Sequence, residues 1–277
     1  MKRACVIGWP VAHSRSPVIH RYWLKFYGLD GAYELEAVPP EEAGSFFKNL
    51  GKRGYAGANV TLPHKETALS AATHADQAAK AIGAANTLWL DDSGLLHATN
   101  TDAYGFMTHL AEVAPDWNKA GRPVMVLGAG GAARAILHGL IQAAGAKITL
   151  ANRTTTRASA LAQSFGPRIS VVAWEERNGA LAGCGLVVNA TSLGMTGRPP
   201  LSIDLSALPL DATVADIVYS PLETPLLAAA KARRNRVVDG LGMLLHQAVP
   251  GFERWFGVRP AVTPELRAHV AAHLEAP

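Results

Sequence analysis

The chain has 277 residues, 49% of them hydrophobic and 17% charged, with 26 Lys plus Arg against 22 Asp plus Glu and a formal net charge of +4. That hydrophobic fraction excludes a disordered chain, and the length allows one large core or two smaller ones. The basic excess is too small to imply a nucleic-acid partner, and 26 Gly and 17 Pro without a repeat period exclude collagen-like and low-complexity architectures.

Residues 4–7 (ACVI) predict a buried strand that runs into a loop at Gly8 and Pro10. The segment turns polar at His13 to Ser16, too early for a signal-peptide core. Pro17 opens an amphipathic helix to about Tyr27, a strand follows at Ala32 to Ala37, and a helix at Glu41 to Leu50. Gly57 to Thr61 reads as a strand that ends before Pro63, followed by Ala-rich helices. Thr87 to Leu90 and Leu95 to Ala98 flank an Asp91-Asp92-Ser93-Gly94 turn, a hairpin signal. This first stretch is an α/β unit with a mixed, mainly parallel sheet.

A helix from about Tyr104 leads away to Pro115, and Gly121-Arg122-Pro123 starts a new pattern. PVMVLGAGGAARAILHGLIQAAGAKITLANRT reads as strand, glycine turn, helix and strand, the βαβ unit of a Rossmann-type, doubly wound domain. Further strands are expected at Ile169 to Val172, Leu186 to Asn189, Thr213 to Asp216 and Arg236 to Val238. The basic run Lys231 to Arg236 sits where a helix should end, a position that already favours cations. Helical patterns at Met243 to Phe256 and Pro264 to His273 close the chain. The most apolar stretch, residues 124–150, is interrupted by Arg134, His138 and Gln142, so no membrane span is expected. Cys5 and Cys184 lie far apart in apolar surroundings, which predicts free thiols and a cytoplasmic setting.

Gly128, Gly130 and Ala133 fit the dinucleotide fingerprint between a strand and a helix, where free N–H groups meet a pyrophosphate. The competing reading is a glycine turn without a ligand. An NAD site usually has an acidic residue at the end of the second strand, but this chain has Asn152-Arg153-Thr154, with Arg157 one turn on. Paired guanidinium groups suit a 2′-phosphate, which predicts NADP; the bland alternative is two solvated surface charges.

In the first unit, polar residues collect at strand ends: His13, Ser14 and Ser16; Asn59, Thr61, His64 and Lys65; Asn86; and Asn100, Thr101 and Asp102. Open α/β sheets collect ligands at such ends, and these groups suit a small, hydroxylated anion. For Ser16, Thr101 and Asn86, local capping or turn formation would also account for the residue type.

The same residues resemble the shikimate dehydrogenase family. Pro10-Val11 with His13-Ser14-Arg15-Ser16-Pro17, Asn59-Val60-Thr61 with Pro63 and Lys65, Gly83-Ala84-Ala85-Asn86-Thr87 and Asn100-Thr101-Asp102 carry the match in the first half. Gly128-Ala129-Gly130-Gly131-Ala132 with Arg134, Asn152-Arg153-Thr154 with Arg157, Asn189-Ala190-Thr191-Ser192 and Asp239-Gly240-Leu241-Gly242-Met243-Leu244 with Gln247 carry it in the second. Three departures are visible: Gln77 where the family often has an acidic residue, Ala85 for Val or Ile, and Ala103-Tyr104 where Gly is common.

The resemblance implies a substrate domain at 1–102, completed by helices of 241–277, and an NADP-binding Rossmann domain at 103–240. It implies reversible, NADPH-dependent reduction of 3-dehydroshikimate to shikimate, with Lys65 and Asp102 as the catalytic pair. Ser14, Ser16 and Tyr219 would hold the substrate carboxylate, and Thr61, Asn86 and Gln247 its ring hydroxyls. Gln77, Gly128, Ala129, Gly130, Gly131, Ala132, Asn152, Arg153, Thr154 and Arg157 would contact the cofactor, with Thr191, Ile217, Gly240 and Met243 on its nicotinamide side. The developing alkoxide needs a proton donor or a fixed positive charge, and Lys65 offers either. An NAD-using quinate/shikimate dehydrogenase is the near rival, opposed by the Arg pair and by Thr61, whose methyl leaves less room than Ser for quinate's tertiary hydroxyl. A non-catalytic NADP sensor is a second, opposed by Lys65 and Asp102. His269 and His273 stand at i, i+4 but lack a third ligand and read as surface residues, so no metal is expected; a monomer or homodimer is.

Overall fold

The computed structural model describes residues 1–118 and 121–275. The chain divides into two compact units, one formed by Met1–Thr101 with Gln247–His273, the other by Asp102–His246 with residues 274–275.

The first unit contains β1 (Lys2–Gly8), α1 (Ser16–Phe26), β2 (Gly31–Ala37), α2 (Pro40–Lys48), β3 (Gly57–Val60), α3 (Lys65–Ala71), β4 (His74–Ala75), α4 (Gln77–Ile82), β5 (Thr87–Leu90) and β6 (Leu96–Thr99). Its six-stranded sheet has the order β2-β1-β3-β5-β6-β4. β1 pairs in parallel with β2 and β3, β4 in parallel with β6, while β3 with β5 and β5 with β6 are antiparallel, the mixed sheet expected. Buried Cys5, Ile7, Phe46, Phe47, Leu50, Val60 and Leu88 pack one core. Pro17 occupies the first turn of α1, where a missing N–H costs nothing. Asp91 Oδ1 accepts from Ser93 N–H at 3.0 Å and Leu95 N–H at 2.9 Å and so shapes the hairpin turn.

The second unit contains α5 (Asp102–Val113), β7 (Val124–Leu127), α6 (Gly131–Ala144), β8 (Ile148–Ala151), α7 (Thr155–Phe165), β9 (Ile169–Val172), β10 (Leu186–Asn189), β11 (Thr213–Asp216), α8 (Pro225–Ala232) and β12 (Arg236–Val238). All its strands are parallel, in the order β12-β11-β10-β7-β8-β9. This is the doubly wound arrangement, with the strand order reversing between β7 and β10. Its central strands β7, β10 and β11 are buried at every position, as strands of a parallel sheet with core on both faces are.

α9 (Gly240–Phe256) opens in the second unit and ends in the first, where α10 (Pro264–Glu275) follows. There Trp255 Nε1 donates to Leu88 O at 2.9 Å, Trp23 Nε1 to Ala261 O at 3.0 Å, and Gly57 leaves the space that the Trp255 indole fills. Cys5 and Cys184 are free, buried thiols whose pKa values burial raises. Among the described residues no helix is long and apolar enough to cross a membrane.

The structure moves two helix starts by two or three residues. α5 starts at Asp102 rather than near Tyr104 and α9 at Gly240 rather than Met243, whereas α8 ends at Ala232 inside the basic run, as expected. β4 was not expected: two residues carry no periodicity, and the strand exists because β6 offers it an edge.

Candidate functional site

In the first unit, antiparallel β5 and β6 bring the start of β5 beside the ends of β3 and β6, and β1 ends at the same edge. Ser14 and Ser16 after β1, Thr61 and Lys65 after β3, Asn86 before β5 and Thr101 after β6 therefore share one end of the sheet. Backbone bonds fix the segments: Thr61 N–H to Ile7 O at 2.9 Å, Val60 N–H to Asn86 O at 2.8 Å and Ala85 N–H to Lys65 O at 2.9 Å. Gln247 comes from α9; its carbonyl accepts from Thr101 Oγ1 at 2.8 Å, and its Oε1 lies 3.5 Å from Asn86 Nδ2. Local capping does not account for Ser16. Arg15 is the N-cap residue of α1, without a side-chain cap bond, and Ser16 is the buried first helical residue, whose N–H meets Ser14 Oγ at 3.3 Å.

Beneath these residues runs a buried polar chain that joins Asn59, Asn86 and Thr101 to His20 and Tyr33, two residues the sequence did not single out. Tyr33 Oη donates to Asn59 Oδ1 at 2.6 Å, and His20 Nε2 meets the same oxygen at 3.1 Å. Asn59 Nδ2 donates to Thr87 Oγ1 at 3.3 Å, Thr87 Oγ1 to Asn86 Oδ1 at 3.0 Å, and Thr101 N–H to that oxygen at 2.8 Å. Asn59 is thus the hub that orients Asn86. Burial pushes the His20 pKa down to about 3 and the Tyr33 pKa well up, so the chain is uncharged at neutral pH. His64 Nε2 is bonded to Val38 O at 2.7 Å and Asn100 Nδ2 to Ala84 O at 2.9 Å, so both side chains serve the scaffold. Gln77 is exposed at the first position of α4.

In the second unit, Gly128 follows β7 with φ +108°, and a Cβ there would stand 2.9 Å from Ala190 O. Only glycine suits that turn. Gly130 and Gly131 have nothing within 4 Å of a Cβ position, and the 14-residue α6 begins there without a side-chain cap. A helix start without a side-chain cap, at glycines with room beside them and at the β7/β10 reversal, fits a pyrophosphate. Asn152 Oδ1 accepts from Ala129 N–H at 3.2 Å and its Nδ2 donates to Thr154 O at 2.9 Å, bracing the turn against the end of β8. Beyond it Arg153, Thr154 and Arg157 are exposed, and neither guanidinium has an ion pair among the described residues.

Thr191 stands across the crevice after β10. Asn189 Oδ1 accepts from its N–H at 3.1 Å and its Oγ1 at 2.7 Å, while Asn189 Nδ2 donates to Asp216 Oδ1 at 2.9 Å. Asp216, missed in the sequence, also accepts from Thr224 Oγ1 at 2.7 Å, and burial raises its pKa. Ile217 and Tyr219 follow on β11's exit, half-buried. Gly240 packs against the backbone of Ile217 and Val218, since a Cβ would lie 2.2 Å from Ile217 O, and half-buried Met243 lies in the first turn of α9. Asp102, 8% exposed, opens α5 immediately after Thr101 in the chain.

Family models match in three blocks: the shikimate dehydrogenase substrate binding domain over residues 6–88, shikimate / quinate 5-dehydrogenase over 110–195, and the shikimate 5'-dehydrogenase C-terminal domain over 240–264. A shikimate dehydrogenase (NADP(+)) of Nitrobacter hamburgensis is 57% identical over 276 residues, covering 100% of this chain and 96% of the relative. The crystal structure of shikimate 5-dehydrogenase from Thermus thermophilus in complex with NADP(H) and shikimate superposes with a TM-score of 0.84 at 37% identity, covering 99% of this chain and 100% of that one. Quinate dehydrogenase from Corynebacterium glutamicum in complex with NAD gives 0.90 at 30% identity, covering 98% and 99%.

Proposed function

The chain belongs to the shikimate dehydrogenase family, and from that membership we propose that it catalyses the reversible, NADPH-dependent reduction of 3-dehydroshikimate to shikimate. The observation that carries this reading is the gathering of Ser14, Ser16, Thr61, Lys65, Asn86 and Gln247, from distant chain segments, at one end of one sheet. That set offers hydroxyl, amide and ammonium groups, which match a hydroxylated carboxylate.

Ser14, Ser16 and Tyr219 hold the substrate carboxylate, and Thr61, Asn86 and Gln247 bond the ring hydroxyls. NADP is held by the glycine turn from Gly128 to Ala132, by Arg153, Thr154 and Arg157 at the 2′-phosphate, and by Gln77, Thr191, Ile217, Gly240 and Met243, with Asn152 bracing the turn. When bound, NADPH supplies the hydride. Lys65 Nζ offers the carbonyl oxygen a positive charge as negative charge develops there and, directly or through water, the proton that completes the alcohol, while Asp102 orients the ammonium and the neighbouring hydroxyl. We read the first unit as the substrate domain and the second as the cofactor domain, in a cytoplasmic monomer or homodimer.

Lys65→Ala tests the assignment in a spectrophotometric assay of shikimate-dependent NADP reduction. A contact made in the transition state predicts a kcat loss of about 10²–10⁴ with a much smaller change in KM. Near-normal kcat with a raised KM would reduce Lys65 to a binding residue. Equal kcat/KM with NAD, or preference for quinate, would instead favour the activity of the Corynebacterium relative.

A further inference from the structure

His109 and Glu112 stand at i, i+3 on one face of α5, and His246 reaches them from α9, all within the second unit. Glu112 Oε2 lies 2.8 Å from His246 Nε2 and 4.0 Å from His109 Nδ1, and one donor atom of each residue lies within 4.8 Å of the others. Donor atoms around a tetrahedral zinc ion are separated by about 3.4 Å, a value those two distances bracket. Both imidazoles are buried and stacked at 6.1 Å, while Glu112 is 55% exposed, so a fourth position opens to solvent.

The surroundings prepare the donors. On the far side of the His109 ring, Asp239 Oδ1 lies 3.7 Å from Nε2, a carboxylate placed behind the ring as the outer partner of a ligating imidazole is, while Nδ1 is the ring nitrogen on the Glu112 side. Asp239 is itself fixed by the N–H groups of Leu241 at 3.0 Å and Gly242 at 3.3 Å. A Cβ on Gly242 would stand 2.1–2.2 Å from Nδ1, Cε1 and Cγ alike, so this glycine packs directly on the face of the ring and fixes its place beside α9. Two imidazoles and one carboxylate are a donor set for zinc-class ions rather than calcium or magnesium.

We propose that His109, Glu112 and His246 bind one divalent transition-metal ion of the zinc class and so fasten α5 to α9 inside the second unit. The competing account is a His246–Glu112 hydrogen bond that needs no metal.

The test uses untagged, chelator-stripped, full-length protein, with Zn²⁺ titrated against a chromogenic chelator and Co²⁺ read by its visible spectrum. One equivalent should bind with a dissociation constant of about 1 µM or below and raise the unfolding temperature. Glu112→Gln and His246→Gln should each weaken Zn²⁺ binding about tenfold or more and cancel the thermal shift. A variant with both His269→Gln and His273→Gln, the other histidine pair, should bind as the parent does. The proposal falls if the parent binds no stoichiometric Zn²⁺, if Glu112→Gln and His246→Gln bind unchanged, or if the loss appears in the His269/His273 variant. Should His246→Gln fail to fold, the exposed Glu112 still decides.

Discussion

Asn59→Ala removes the hub beneath the candidate substrate residues. Its Oδ1 accepts from both Tyr33 Oη and His20 Nε2, and it is 4% exposed, so no bulk water replaces it. Tyr33 retains a second partner in Ser16, but His20 Nε2–H is left without an acceptor. An orphaned buried donor costs about 1–3 kcal/mol, and the emptied amide volume adds about 1 kcal/mol, for a total of about 2–4 kcal/mol. In urea, followed by the fluorescence of buried Trp23 and Trp255, the midpoint should fall by about 1–2 M. His20→Phe keeps the ring that stacks on Tyr33 at 4.1 Å but deletes the donor. The double variant should therefore be more stable than the sum of the single losses by about 1–2 kcal/mol. Additive losses would refute the argument, because they would mean that the bond to Asn59 contributes nothing. In the same variant shikimate KM should rise more than kcat falls, since Asn86 loses its support through Thr87.

His20 stays neutral in the folded chain down to about pH 3, whereas its unfolded form takes up a proton near pH 6.5. The unfolded state binds more protons across that window, so unfolding free energy is full above pH 6.5 and falls by about 1.4 kcal/mol per unit toward pH 3; His20→Phe should flatten that slope by one proton in denaturation at several pH values. Arg153→Ala and Arg157→Ala should each raise the KM for NADP about 10- to 100-fold and leave that for NAD nearly unchanged, and parallel losses with both cofactors would reject a 2′-phosphate role. Gly240→Ala should cost about 1–3 kcal/mol and weaken NADP binding measured by fluorescence titration, because the methyl must displace the Ile217 carbonyl.

The strand pattern was legible because the second unit's strands are short apolar runs ended by turn residues, and the glycine turn because only glycine meets its backbone demands. The collection of Thr61, Asn86 and Thr101 at strand ends could also be read, since each follows or precedes a recognisable strand. The supports could not. His20 looks like any polar residue of an amphipathic helix, Tyr33 like any strand aromatic, and Asp216 like a turn-former; their roles arise from partners 26 to 39 positions away. The His109, Glu112 and His246 cluster was equally hidden, because its third member is 134 residues from Glu112.

The first unit is built from two pieces of chain, and this sets a schedule for its synthesis. Residues 1–101 leave the ribosome long before the segment that begins at Gln247. At typical elongation rates the interval is roughly 7 to 30 s. Throughout it the pocket beside Gly57 that receives Trp255 stands open, and the Leu88 carbonyl lacks its indole donor. The main segment of the second unit, Asp102–His246, is translated during the same interval. The unit translated first is thus the one completed last, and its exposed apolar face is where a nascent-chain chaperone would be expected to act.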